Sequence, residues 1–203
     1  MITRDQTRKN YNRLSRWYDL FAGSEKTFTD IGIQMLDVQP KESVLEVGCG
    51  TGHALVEFAE RGGIVTAIDL SEKMLNVARK KIRSHKVNLC QSDGMLIPFS
   101  REQFKNVFIT FTLELFDTLE IPKVLTEIYR ILEKDGKLGV VSLAKQETIA
   151  VQIYEWFHQK MPILVDCRPI YLQPTLKETG FSIQESNVKT MWGLPVEIVI
   201  ARK

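Results

Sequence analysis

Cysteine is scarce in this sequence, and the residues present are poorly placed for cross-linking. Cys49, Cys90 and Cys167 are an odd number, far apart, with neither CxxC nor metal-ligand spacing. That argues against a disulfide-stapled scaffold and against a bound metal, and reduced thiols in a cytoplasmic protein are the simplest account. No apolar run approaches membrane-spanning length, and the polar opening MITRDQTRKNYNRLSRW has no apolar signal core, which predicts a soluble chain without an integral membrane segment. Charge of one sign is lacking too: the formal net charge is +2, and nothing in it suggests a nucleic-acid footprint. The one basic cluster (Lys80, Lys81, Arg83, His85, Lys86) closes a predicted helix, where cations suit the macrodipole. Internal repeats, low-complexity tracts and linkers are absent.

With 203 residues, 44% hydrophobic and 26% charged, the chain has the bulk for one globular domain with a sizeable core. Its centre is Val44-Leu45-Glu46-Val47-Gly48-Cys49-Gly50-Thr51-Gly52-His53, strand formers running into alternating glycines and then into a helical apolar pattern (Ala54, Leu55, Phe58, Ala59). Strand, tight turn and helix are the reading. Glycines serve where the backbone takes positive φ or approaches a ligand, and the helix N-terminus beyond presents unpaired N–H groups. Cys49 reads as a small residue filling the turn rather than a nucleophile, since no cationic partner lies near it in sequence.

A dinucleotide fingerprint Gly-x-Gly-x-x-Gly would put its third glycine where His53 stands. Glu46 is also wrong for a pyrophosphate, which it would repel, and right for a ligand carrying an ammonium and a sulfonium. In this the residues resemble the class I S-adenosylmethionine (AdoMet) methyltransferases, whose first motif is an acid followed by Gly-x-Gly-x-Gly. The phrase YNRLSRWYDLF resembles the N-terminal Tyr-Asp…Tyr-Asp segment of the ubiquinone/menaquinone biosynthesis C-methyltransferase type, although the first pair here is Tyr11-Asn12 and only Tyr18-Asp19 matches fully.

The rest of the chain fits a doubly wound pattern. Tyr11, Leu14, Trp17, Tyr18 and Phe21 share a helix face, and a second helix is predicted over about 27–36. The run Ile64 to Asp69 is a buried parallel strand ending in an acid seventeen residues past Gly52, about where a ribose-binding carboxylate falls; Ser71 can cap the next helix, whose inner face carries Met74, Leu75, Ala78 and Ile82. A third strand, 87–91, leads to Asp93-Gly94-Met95, a turn signal by itself and the adenine-binding acid by resemblance. A fourth strand (104–111), a helix (121–132) closed by Asp135-Gly136, and a fifth strand (138–143) follow. Thr110 to Leu115 occupy the strand-four edge, and Thr112-Leu113-Glu114 is unlike the Asn/Asp-Pro-Pro of nucleic-acid amino-methyltransferases. Beyond come an amphipathic helix with Ile149, Ile153, Trp156 and Phe157, a short helix from Gln173-Pro174 closed by Gly180, and strands 182–190 and 195–201.

The fold implied is α/β: a Rossmann-like, doubly wound, mostly parallel sheet of about seven strands with a C-terminal antiparallel hairpin and helices on both faces. One domain, 1–203, would comprise a helical cover (1–36), an AdoMet-binding core (40–143), a substrate cover (144–173) and a closing helix and hairpin (174–203). The resemblance carries cofactor binding onto Tyr11, Tyr18, Glu46, Gly48, Cys49, Gly50, Gly52, Asp69, Leu70, Met74, Asp93, Gly94, Met95, Thr110 and Leu115. It implies methyl transfer by in-line displacement to a small acceptor, with a quinone-like or lipid-like one suggested by the aromatic content of 144–173, and a monomer or homodimer. Tyr18, Glu114 and Tyr171 are base candidates, none of them assigned. An AdoMet-binding regulatory protein without chemistry, and a nicotinamide dehydrogenase, are the competing readings.

Overall fold

The structure is a computed structural model and describes residues 11–12, 23–160 and 167–203. In chain order the elements are α1 (Gly23–Leu36), β1 (Ser43–Val47), α2 (His53–Glu60), β2 (Ile64–Asp69), α3 (Glu72–Lys81), β3 (Val87–Gln91), β4 (Phe104–Thr110), a short 3₁₀ turn (Leu113–Leu115), α4 (Ile121–Ile131), β5 (Leu132–Leu143), α5 (Ile149–Lys160), α6 (Leu172–Glu178), β6 (Ser182–Met191) and β7 (Leu194–Arg202). The strands form one sheet in the order β3-β2-β1-β4-β5-β7-β6. β1 through β5 run parallel, while β7 lies antiparallel between β5 and β6.

Strand alternation sends side chains to two apolar layers. Val44, Val65, Ala67, Phe108 and Val141 meet α1, α2 and α3 on one face, where Phe58 of α2 packs edge-to-face on Phe108 with centroids 5.5 Å apart. Leu45, Val47, Val107 and Ile109 meet α4 and α6 on the other through Val124, Leu125, Ile128 and Leu176. The strand order reverses between β1 and β4: the chain winds outward through β2 and β3, then returns to the far side of β1. Side chains diverge above such a reversal, and a crevice opens at the carboxyl ends of the strands.

Several expected boundaries move. α1 begins at Gly23, and β4 stops at Thr110 because Phe111 turns left-handed with φ 44°. Asp135 does turn, at φ 61°, yet the residues around it stay hydrogen-bonded into β5, which therefore starts at Leu132; the price is a register break against β4 between Phe104 and Asn106. The helix expected around 149–157 is α5. Its stripe Ile149, Ile153, Trp156 and Phe157 faces outward at 76, 53, 54 and 40% exposure, while Val151 is buried and Tyr154 packs on the core. Both faces of this helix are apolar, so periodicity alone does not say which one packs inward.

Candidate functional site

The crevice is a cavity of about 310 Å³ above β1, β2, β3 and β4. Its floor is the glycine turn. Gly48, Gly50 and Gly52 all have positive φ (74, 51 and 83°), and a Cβ on Gly48 would run into Thr112 beyond β4. The turn therefore lies tight against the β4 edge, and Gly52 caps α2 without a side-chain hydrogen bond to the helix amides.

Carboxylates from successive strand ends converge here: Glu46 from β1, Asp69 from β2 and Asp93 beyond β3 all line the cavity. Asp69 is tied to the backbone on both sides, its Oδ2 accepting from Gly50 N–H at 2.8 Å and its Oδ1 from Ser71 N–H at 2.7 Å. Each oxygen keeps a lone pair for a ligand. Burial raises the Asp69 pKa to about 6 against the opposing pull of these N–H bonds. Ser71 caps α3 as its sequence position implies, accepting from Met74 N–H at 3.1 Å, and donates to Asn12 Oδ1 at 2.7 Å. Asp93 accepts from Met95 N–H at 2.9 Å, which shapes the turn after β3. Glu46 is fully enclosed, and its Oε2 has no hydrogen-bond partner among the described residues. Burial, with the Asp69 charge next, pushes Glu46 well above the usual carboxylate range and raises the Cys49 thiol as well. A buried carboxyl oxygen without a partner is costly unless a ligand supplies one.

Of the residues expected at the site, Tyr11, Glu46, Gly48, Cys49, Gly50, Asp69, Leu70, Asp93, Gly94, Thr110 and Leu115 line the cavity. Met74 does not: it is fully buried on the inner face of α3, its N–H engaged at the cap. Met95 packs toward the opposite apolar layer, and Gly52 acts one residue outside the lining as the α2 cap. Tyr18 lies outside the described residues. Glu114 is buried away from the cavity, accepting from Leu143 N–H at 3.1 Å, and Tyr171 is exposed under the Lys145 ammonium; neither reaches the crevice as a base. Among the described residues, none of α5 lines it either.

Sequence reasoning missed the other wall. Gly23, Glu25, Lys26 and Thr29 of α1 line the cavity together with His53 of α2, whose Nε2 meets Asp30 Oδ1 of α1 at 2.6 Å. Thr29 and Thr110 share a 3.2 Å hydroxyl bond, and Phe111, Thr112 and Phe116 complete the β4 side. His53 stands in the sequence where a glycine was sought, and no local signal pairs it with Asp30. Among the described residues no group of His, Cys, Asp and Glu is arranged to hold a metal ion.

The fold is Rossmann-like, the one that methyltransferases of known structure share. Residues 44–136 match the family described as a methyltransferase domain. The chain is 30% identical over 147 residues to the demethylmenaquinone methyltransferase of Lactobacillus johnsonii, a match covering 66% of this chain and 59% of that protein. The chain thus spans a little over half the length of the curated relatives it matches. Among solved structures it superimposes on magnesium protoporphyrin IX methyltransferase of Synechocystis with bound SAH, at TM-score 0.82 and 16% identity over 99% of this chain and 100% of that one. It also superimposes on the [4+2]-cyclase SpnF, at TM-score 0.80 and 19% identity over 99% of this chain and 97% of that one. At such identities the likeness is one of fold.

Proposed function

We propose that this protein binds AdoMet in the crevice and transfers its methyl group to a small acceptor. The observation that carries this reading is the convergence of Glu46, Asp69 and Asp93 on one cavity, with a Glu46 oxygen left without a partner among the described residues. The donor set fits the cofactor. Asp69 can accept from ribose hydroxyls, Asp93 from an exocyclic amine beside Gly94 and Phe116, and Glu46 can meet an ammonium that restores its ionised form. A pyrophosphate would face three acids.

When bound, AdoMet supplies a methyl on a sulfonium that leaves readily, so the protein's work is orientation and exclusion of water, worth up to about 7–11 kcal/mol at near-attack geometry. The glycine turn fixes one side. Leu115 and Phe116 form an apolar wall on the β4 side, where an acceptor would enter. That wall, with the relative named for demethylmenaquinone, supports a quinone-like acceptor, whereas the outward aromatic face of α5 gives no support.

A second reading, cofactor binding without methyl transfer, draws on Glu114 and Tyr171 standing outside the cavity and on a cyclase sharing the fold. Calorimetry with AdoMet followed by turnover of labelled AdoMet with a short-chain demethylated naphthoquinol separates them. Binding with product methylation is expected. Binding with no turnover on quinol, phenol or amine acceptors favours the second reading, and no binding at millimolar AdoMet removes both.

A further inference from the structure

The sheet ends unevenly. One edge, β3, is five residues long, whereas the other, β6, runs for ten, and among the described residues β6 pairs only with β7. Its outer side therefore carries a row of N–H and C=O groups with no strand beside them, a template for adding one. The strand is exposed from Gln184 to Thr190 except at Asn187, which is half-buried.

Three residues beyond the bulge between Ile183 and Glu185 decide which strand fits. Glu185, Asn187 and Lys189 share one face, opposite Ile200, Ile198 and Val196 of β7. Those apolar neighbours give neither charge a partner across the ladder, and the two charged residues lie about 13 Å apart along β6, too far to meet. Among the described residues neither makes an ion pair. On the other face, Gln173 of α6 donates to Ser186 Oγ at 3.1 Å.

We propose that β6 pairs antiparallel with β6 of a second copy, about a two-fold axis through Asn187, joining the two sheets into one. With that centre Glu185 of each copy faces Lys189 of the other, and the bare charges of the two edges become two cross-strand ion pairs. A two-fold axis normal to the sheet keeps each residue on its own face, so the centre must fall on a residue. At Glu185 or Lys189 it would set like charges opposite each other, and at Ser186 or Val188 it would leave both charges unpaired. A lysine on an edge deters pairing; a glutamate four residues before it selects one partner and one register. The same register brings Trp192, 80% exposed in the β6–β7 turn, level with Ser182 of the second copy at each end of the joint. The paired stretch from Glu185 to Lys189 is short beside a standard interface of about 800 Å² per partner, so the dimer should be weak, with a Kd of about 10–100 µM. No described residue of β6 or β7 lines the crevice, which the joint leaves open.

Sedimentation equilibrium of the full chain from about 1 to 300 µM brackets that Kd. Wild type should pass from monomer to dimer. Glu185→Lys and Lys189→Glu should each weaken association at least about tenfold, because each sets like charges opposite at both symmetric positions. Both sites are exposed, so the melting temperature and AdoMet affinity should stay as in wild type. An equal mixture of the two variants should associate again as a heterodimer, and the double variant should dimerise by itself, since the facing charges are then unlike. A wild type that is monomeric throughout overturns the proposal. A dimer that both single variants keep, or a mixture of folded variants that stays monomeric, overturns it too.

Discussion

A single carboxyl shows most plainly how the site stores a demand for its ligand. Glu46 is enclosed beside Asp69, and both titrate upward because burial disfavours their charge. Between 3.8 and about 6 the folded chain keeps the Asp69 proton that the unfolded chain has released, so this group's share of stability falls as pH rises through that window and is constant above it. Ligand binding needs the ionised forms. AdoMet affinity is therefore expected to fall as pH drops through about 6, where Asp69 takes up its proton. Titrations repeated from about pH 5 to 8 check this, and Asp69→Asn should flatten the profile around 6. The acids and glycines were legible because each ends a recognisable strand. His53 and Asp30 were not, since their pairing depends on how α1 crosses α2.

Among the elements, α2 and α5 make opposite cases. The apolar stripe of α2 is short and one-sided, and Phe58 on it is fully buried against Phe108. Phe58→Ala should cost about 3–5 kcal/mol in urea unfolding, whereas Trp156→Ser on the outer face of α5 should cost within about 0.5 kcal/mol and leave AdoMet binding unchanged. The strands were legible because β-branched runs ended in turn residues. α5 was legible as a helix only, because Val151 and Tyr154 compete with Ile149 and Ile153 for the role of inner face, and contact with β7 decides between them. Asp135 likewise announced a turn correctly while hiding the strand that runs through it.

For the molecule as a whole, we propose that residues 1–203 act as one cooperative unit. Both apolar layers run along the sheet from β1 to β7, so a ligand held at the β1–β4 reversal should stabilise the distant hairpin as well. AdoMet at one hundred times its Kd is expected to add about 2.7 kcal/mol. The gain should read the same by far-ultraviolet circular dichroism and by tryptophan emission, in which Trp192 of the β6–β7 turn and Trp156 of α5 take part. Separate midpoints would show two units.

The position of β7 has a further consequence for biosynthesis. It is made after both of its neighbours, β5 and β6, yet it is the strand that joins them. A nascent chain that has emerged as far as Met191 carries β5 with a bare polar edge and β6 with nothing to pair against. Vectorial synthesis therefore cannot finish the sheet gradually. Closure waits for Leu194–Arg202 to clear the ribosome, and a pause just before that point would leave the β5 rim open to a neighbouring nascent chain.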